Sequence, residues 1–302
     1  VTPTVANSQK TTLFTGRNQT ITGVGFKPDM AIVANRAVAN GNFFFDSLRG
    51  PLMTLWGSSA DYQGSRDSLT AFNDDGVTVG SYASIGTGNN VLWSWKAGIT
   101  PSINNDGSIT GVVSVNQAAG FSVVQYTGSS SVGTVAHGLG AIPEMIIVKR
   151  LDSPNDNWAV YNETIGNTKR LSLDEDGAAS SNRVEWDSTT PTNTVFTLGN
   201  HSAVNTNSSY IAYCWTSIAN YSKVGTYTGS SNAHTVNVGF APSFAIIKRT
   251  DSTGNWRVFD TIRGTDKSYS LNSDVAEYDD TSNYVDYTTT GFSFSTSQQN
   301  PD

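Results

Sequence analysis

The stretch GFKPDMAIVANR, residues 25–36, recurs twice, as GAIPEMIIVKR at residues 140–150 and as GFAPSFAIIKR at residues 239–249. Each copy has a glycine, a proline and an apolar run that ends at an arginine. The runs are too short for an ordinary helix and suit a strand that is covered on both faces. Proline at the start of a strand removes no hydrogen bond from the sheet. The phrase therefore predicts the central strand of a repeated β unit.

The similarity between the copies extends well beyond this phrase. An aromatic-Thr-Gly turn precedes each copy, at Phe14, Tyr126 and Tyr227, and an aromatic strand follows as NFFFD, NWAVY or NWRVFD. Copies one and two close with NNVLWSWKAG and SSYIAYCWTS. The interval between copies is the size of a domain, far above the roughly 20–50 residues of solenoid and propeller repeats. We therefore expect about three tandem units.

The apolar pattern inside each unit has a period of two, as in VTVGSY, VFTLG and FSFST. This alternation, with Gly/Asn/Asp turns, favours half-buried antiparallel strands and little helix. We predict an all-β chain of tandem antiparallel β-sandwich units, lectin-like or jelly-roll-like, with about seven strands each. The predicted divisions are a first unit at 1–98, a linker with a hairpin at 99–122, a second unit at 123–219 and a third, incomplete unit at 220–302.

The third copy lacks the aromatic closing strand of the other two. An unpaired edge strand invites aggregation, so we expect something to cover it. Three sources stay open: the N-terminal segment, a strand from a neighbouring chain, or a longer array of units.

Composition excludes several classes of partner. The 302 residues carry a net charge of −7 with no run of Lys or Arg, which argues against nucleic acid and anionic membrane surfaces. No apolar run reaches the ~18 residues that span a bilayer, so no membrane insertion is expected. The single cysteine, Cys214, lies in the apolar run YIAYCW and is predicted to be a small buried side chain.

Residues with catalytic potential are few. His137, His201 and His234 lack the spacing of metal ligands, and we interpret them as structural, with His137 and His234 in roughly equivalent places. No nucleophile elbow or phosphate-binding loop occurs. Acidic clusters stand at 74–75, 174–176 and 279–280, where paired carboxylates could serve a glycosidase or calcium.

Two further sets of residues are candidate binding sites. Asp152, Asn155 and Asp156 supply closely spaced oxygen ligands for calcium, although Asx turns give the same pattern without metal. No other cofactor is expected. Trp56 and Trp186 lie outside the best-matched segments and are our candidates for stacking on a sugar.

Asp46 and Asp260 each precede an arginine by three residues, Arg49 and Arg263, whereas copy two has Asn162 and Ile165. A catalytic site must keep its charges in every copy, so this variation argues against catalysis.

The motif set as a whole resembles a repeat family of phage virion proteins, found among phages of marine bacteria and described as tail, fibre or structural proteins. YTGSS, FFFDSLRG, NDDGVTVGS, NNVLWSWKAG, HGLGAIPEMIIVKR and YIAYCWTS carry this resemblance, which covers nearly the whole chain. It implies a non-enzymatic homo-oligomer, by analogy a trimer, that joins other virion proteins on the exterior of the particle. It also implies contact with a host glycan or surface receptor, and no catalytic residues.

Two alternative functions remain open at this stage. One is a carbohydrate-binding module array of an extracellular, secreted or cell-surface protein, and the other is a polysaccharide depolymerase that uses carboxylates such as Asp174 and Asp176.

Overall fold

A computed structural model describes residues 8–98, 100–230, 232–279 and 285–294. It confirms the all-β class: the described residues form 25 strands and a single 3-10 turn, Ala83–Ile85. No helix among them is long and apolar enough to cross a membrane.

Unit 1 contains a large sheet and a small one. Its strands are β1 (Gln9–Thr15), β2 (Gln19–Ile21), β3 (Met30–Asn35), β4 (Asn42–Asp46), β5 (Met53–Trp56), β6 (Gly64–Ser65), β7 (Leu69–Asn73), β8 (Gly76–Val79) and β9 (Asn89–Trp95). The large sheet has the order β1-β9-β3-β4-β5-β6 and the small one β2-β8-β7. All six residues of β3 are buried, as predicted for a strand covered on both faces.

Unit 2 repeats this plan with an addition. Its strands are β10 (Ser102–Asn104), β11 (Gly111–Asn116), β12 (Phe121–Thr127), β13 (Gly133–Ala136), β14 (Met145–Arg150), β15 (Ala159–Asn162), β16 (Leu171–Ser172), β17 (Val195–Leu198) and β18 (Ser209–Trp215). The large sheet runs β10-β11-β12-β18-β14-β15-β16 and the small one β13-β17. The hairpin β10–β11 is thus part of this sheet and not a separate linker, because β11 bonds along the free edge of β12.

Unit 3 is smaller within the described residues. Its strands are β19 (His234–Asn237), β20 (Phe244–Ile247), β21 (Arg257–Asp260), β22 (Gly264–Ser270), β23 (Tyr278–Asp279), β24 (Asp286–Tyr287) and β25 (Gly291–Phe294). They form the sheets β20-β21-β22-β23 and β19-β25-β24. The N-terminal segment does not complete this unit through residues 9–15, since these pair with β9 along their whole length. Residues 1–7 lie outside the described residues.

Each unit has its own core between its two sheets. Unit 1 buries Phe43, Phe45 and Val77 there, and unit 2 buries Tyr161, Phe196 and Leu198. The core of unit 3 is smaller and includes Phe259, Phe292 and Phe294. This arrangement of an apolar sheet face against a second sheet is the expected sandwich.

A fourth core joins the three units and covers the second face of each large sheet. It is built from aromatic and aliphatic side chains of all three: Ile32, Phe44, Trp93 and Trp95 of unit 1, Val123, Ile147, Trp158 and Tyr213 of unit 2, and Trp256, Val258 and Tyr269 of unit 3. We call it the shared core. Rings cross the boundaries, with Phe44 and Trp158 centred 4.9 Å apart and Trp95 and Phe244 5.3 Å apart. The central strands are apolar on both faces for this reason.

Equivalent polar side chains close the units into a ring. The Trp158 indole N–H of unit 2 donates to the carbonyl of Trp56 in unit 1 (3.0 Å), and that of Trp256 in unit 3 donates to Ser172 in unit 2 (2.8 Å). Asn42 takes the equivalent place in unit 1, and its amide donates to Leu271 of unit 3 (2.7 Å). Every unit thus bonds to the preceding one, and unit 1 bonds to unit 3.

A second set of ties comes from the cations that end the repeated phrase. Lys149 donates to the carbonyl of Ala60 in unit 1 (2.6 Å), and Lys248 donates to that of Asp176 in unit 2 (3.0 Å). Arg36 of unit 1 forms an ion pair with Glu277 of unit 3 (2.7 Å). The ring is therefore closed twice, once by the indole and amide hydrogen bonds and once by these cations.

The indole hydrogen bonds at the boundaries predict a specific loss of stability. Trp158→Phe and Trp256→Phe should each lower the free energy of unfolding by about 1 kcal/mol more than Trp186→Phe, because only the first two remove a hydrogen bond. Trp186 is equally buried, but its indole nitrogen has no partner among the described residues. Urea unfolding measures all three variants, and equal losses would contradict the ring of boundary bonds.

Candidate functional site

The Asp-Arg pairs that differ between the copies lie at the boundaries between units. Asp46 is fully buried and its carboxylate binds the Arg49 guanidinium at 2.5 Å. The Tyr213 hydroxyl of unit 2 donates to the same carboxylate at 2.8 Å. Arg49 also donates to the carbonyls of Phe44 and Met53, so its charge is neutralised and all three of its nitrogens are bonded.

The second pair repeats this arrangement one boundary further round the ring. Asp260 binds Arg263 at 2.5 Å and accepts a hydrogen bond from the Trp93 indole of unit 1 at 3.0 Å. The Arg263 guanidinium lies 5.0 Å from the centre of the Trp93 ring, in a cation–π contact, and also binds Glu277 at 3.1 Å. Both pairs thus hold an aromatic of a neighbouring closing strand.

The variation at unit 2 has a structural meaning. Asn162 occupies the position of Asp46 and Asp260, because each is the last residue of its strand and pairs with the first residue of the central strand. Asn162 bonds to the nearby Thr164 N–H (3.0 Å) and stands beside Ile165 instead of an arginine. The charge pair is present only at the two boundaries where a closing-strand aromatic reaches it. Its role is that of a boundary tie.

The three histidines are not assembled into a site. His137 is fully buried, and its ring nitrogens bond to the Thr192 carbonyl and the Leu139 N–H (both 3.2 Å). Burial lowers the pKa of His137 to about 4, so the ring is neutral. His201 lies 3.7 Å from Glu185. His234 is not equivalent to His137. Val135 pairs with Phe196 in unit 2 and Val236 pairs with Phe292 in unit 3, so these two valines are equivalent positions. Two residues further on, His137 is therefore equivalent to Val238.

The turn with the calcium candidates is already saturated by donors of the chain. Asp152 and Asp156 both bind Arg150, at 2.9 and 3.0 Å, and Asp156 also accepts from the Ser202 hydroxyl. Asn155 has a φ of 69°, a left-handed turn conformation that asparagine tolerates. The turn orients Arg150 and offers no free carboxylate pair. Among the described residues, no group of three or more His, Cys, Asp or Glu side chains could hold a metal ion.

The two tryptophan candidates have different surroundings. Trp186 is 1% exposed and packs edge-on against Tyr161 in the core of unit 2, so the proposal that it stacks on a sugar is wrong. Its local sequence is polar, and only the tertiary fold buries it. Trp56 is half-buried, with the guanidinium of Arg66 5.7 Å from its ring centre. It keeps part of its surface open.

The acidic cluster at 174–176 lies on an open groove at the boundary between units 2 and 3. The groove has a volume of about 510 Å³ and is lined by Asp174, Glu175, Asp176, Gly177, Asn255, Asn272 and Ser273. Glu175 and Asp176 are exposed. Asp174 is more buried, and this burial raises the pKa of its carboxyl group. The Asp174 carboxylate accepts a hydrogen bond from the backbone N–H of Trp158 at 3.0 Å. The groove therefore offers carboxylate, amide and hydroxyl groups to a polar ligand.

Two charged groups at the boundaries between units were not predicted from the sequence. Lys149 is fully buried, and burial lowers its pKa while Asp174, Asp156 and Asp61 oppose that change. Glu277 bridges Arg36 and Arg263 across the boundary of units 1 and 3. In the sequence, the charged residues at the end of each repeated phrase, such as Lys149 and Arg36, are the signal that could have predicted these contacts. Cys214 is buried as predicted, and burial raises the pKa of its thiol to about 12.

Unit 2 itself suggests a test of the Asp-Arg tie. Asp46→Asn should lower the free energy of unfolding by about 3–5 kcal/mol, because it leaves the buried Arg49 without a counter-charge. The double variant Asp46→Asn/Arg49→Ile copies Asn162 and Ile165 and should recover at least half of that loss. Denaturant unfolding measures both.

Asp251→Asn serves as the control for this test. Asp251 pairs with Arg249 at an exposed site, so its loss should change stability by no more than about 1 kcal/mol. A double variant as unstable as Asp46→Asn alone would contradict the proposed role of the pair.

Acid should destabilise the protein through His137. Its folded pKa of about 4 lies below the ordinary 6.5, so the unfolded chain binds the proton first as the pH falls. This contribution is complete above pH 6.5 and is lost between 6.5 and about 4, by up to about 3 kcal/mol. Thermal melts from pH 7.5 to 4 should show a smaller loss in His137→Gln than in the wild type or in His234→Gln. A profile unchanged by His137→Gln would contradict this.

Comparison with known proteins gives a family without an assigned activity. Residues 5–302 match the family described as Domain of unknown function (DUF7483), so the match spans all three units. No curated protein and no solved structure matches the chain. Because the match covers nearly the whole sequence, the chain belongs to the DUF7483 family.

Proposed function

We propose that the chain is a non-enzymatic structural and adhesive component of a phage particle, in a tail fibre, tail tip or capsid-attached fibre. The observation that carries the proposal is the use of the repeated polar motifs. The Asp-Arg pairs and the cations that end the repeated phrases tie units together, and most of these groups are buried. Groups committed in this way are unavailable to a substrate, and the motif resemblance described above supplies the link to virions.

The build of the chain also suits an exposed position on a particle. Three sandwiches joined by a shared core give a stiff body with many loops at its surface, where recognition residues are usually placed. In this proposal the chain assembles as a homo-oligomer with other virion proteins, with a trimer as the expectation by analogy with fibres. Its surface loops contact a host glycan or receptor.

Purified particles provide the direct test. Peptides of this chain should be found by mass spectrometry in gradient-purified virions at a stoichiometry comparable with other structural proteins. Antibodies against the folded chain should label the tail or capsid surface in electron micrographs. Infected-cell lysate freed of particles is the control, and confinement of the chain to that fraction would contradict the proposal.

A carbohydrate-binding array is the second candidate, and the groove at the boundary of units 2 and 3 favours it. Its carboxylate, amide and hydroxyl groups suit the hydroxyls of a polar glycan. On a glycan array, Glu175→Gln/Asp176→Asn should reduce any signal that arises from this groove. Release of reducing ends from a host polysaccharide that is lost in Asp174→Asn would instead indicate a depolymerase.

A further inference from the structure

The closing strand has two neighbours in each complete unit. In unit 1, β9 bonds to β1 on one side and to β3 on the other, and in unit 2, β18 bonds to β12 and β14. The corresponding central strand of unit 3, β20, is an edge strand in the described part of the chain. Its outer side therefore offers unpaired backbone groups.

The other neighbour of the missing strand is also in place. Tyr227 matches Tyr126 of β12, and the two pack alike: Tyr227 lies 6.3 Å from Phe292, and Tyr126 lies 6.4 Å from the equivalent Phe196, both edge-on. Yet residues 223–230 form no strand. In unit 2 the equivalent strands β12 and β14 lie on the two sides of β18. By this equivalence we infer a place for one strand between residues 223–230 and β20, and we call it the slot.

Neighbouring side chains are less buried at the slot than at the equivalent places. Trp93 and Tyr213 of the existing closing strands reach Asp260 and Asp46 of the adjacent unit, which are both fully buried. By the same geometry, a strand in the slot would reach Asn162 of unit 2, which is half-buried.

The apolar side chains that line the slot are also less buried than their equivalents in unit 1. Met145 and Phe244 are half-buried, whereas Met30 at the equivalent position in unit 1 is 1% exposed. Ile246 of β20 and Ile165 of unit 2 border the shared core and are also half-buried. The slot therefore continues the established interface between the units.

The two existing closing strands define what fits. Val91, Trp93 and Trp95 of β9 face the shared core, and Leu92 faces the core of unit 1. In β18, Ile211 and Tyr213 face the shared core, while Ala212 and Cys214 face the core of unit 2. The two strands share a pattern of five successive residues, 91–95 in β9 and 211–215 in β18. The first residue is aliphatic and the second is small or aliphatic. The third is an aromatic residue with an N–H or O–H donor, the fourth is small, and the fifth is tryptophan. The segments 1–7, 280–284 and 295–302, outside the described residues, contain no tryptophan.

We propose that unit 3 can bind, in trans, one antiparallel β strand of this pattern, presented by a polypeptide other than a second copy of this chain, whose own strands of this pattern, β9 and β18, are already paired on both sides. Its backbone bonds to the free edge of β20 and to the segment that contains Tyr227, as in other cases of strand addition. Its aliphatic, aromatic and tryptophan side chains complete the shared core. The N–H or O–H group of the third residue lies near Asn162. Asn162 is a neutral hydrogen-bond acceptor, so it needs no arginine partner, unlike Asp46 and Asp260. This inference does not depend on a virion role.

A synthetic peptide with the sequence NNVLWSWK, residues 89–96, tests the slot on the full 302-residue chain. Hydrogen exchange followed by mass spectrometry should show β20 exchanging at least tenfold faster than β3 in the free chain. Excess peptide should slow β20 at least tenfold and leave β3 unchanged. The control peptide NNVLSSSK, which lacks both tryptophans, should have no effect.

A variant of the slot wall separates specific binding from adsorption. Ile246→Lys places a charge in the slot and should abolish the effect of the peptide, whereas Ile262→Lys, at an exposed position of the same unit, should preserve it. If Ile246→Lys fails to fold, the two peptides on the wild-type chain still decide the matter.

Four results would overturn the proposal. The first is slow exchange of β20 in the free chain at all concentrations, which would mean that the chain fills its own slot. The second is slow exchange that depends on protein concentration, which would identify a second copy as the occupant. The third is absence of any effect of NNVLWSWK, and the fourth is an equal effect of NNVLSSSK.

Discussion

The shared core is the feature on which the rest of the structure depends. Each large sheet is apolar on both faces, and only one face is covered by its own small sheet. The other face, with Trp93, Trp158 and Trp256, is buried by the neighbouring units. Burial of apolar surface is the main favourable contribution to folding, and large aromatic side chains bury much of it. A single unit in isolation would expose this face to water, so the three units depend on one another for stability.

Polar ties give this apolar interface its geometry. A hydrophobic surface alone does not fix how two sheets are rotated, whereas a buried carboxylate or indole N–H is costly unless it meets its partner. The contacts of Asp46 with Tyr213 and of Asp260 with Trp93 therefore favour one arrangement of the units. Asp46 and Asp260 belong to the Asp-Arg pairs that the sequence of copy two lacks. In the described part of the chain, the charge at this position is present at the two boundaries where a closing-strand aromatic reaches it and absent at Asn162.

Local pattern predicted much of the fold but little of the candidate sites. The repeated phrase located β3, β14 and β20, because a short apolar run after a proline specifies a central strand. Copy-to-copy variation at Asn162 and Ile165 marked the one boundary without an Asp-Arg pair. The pattern could not reveal that neighbouring units cover the second face of each strand, because that contact joins distant parts of the chain. For the same reason, Trp186 in a polar stretch proved to be buried, and the buried Lys149 was not foreseen.

The shared core should make the three units fold as one body. Native-state hydrogen exchange of the full chain at increasing denaturant tests it most directly, since it reports the free energy of opening for each segment. The slowest amides of β4 in unit 1, β15 in unit 2 and β21 in unit 3 should merge into one unfolding event with the same free energy. Separate events, with unit 1 or unit 2 remaining protected after the others have opened, would contradict the claim.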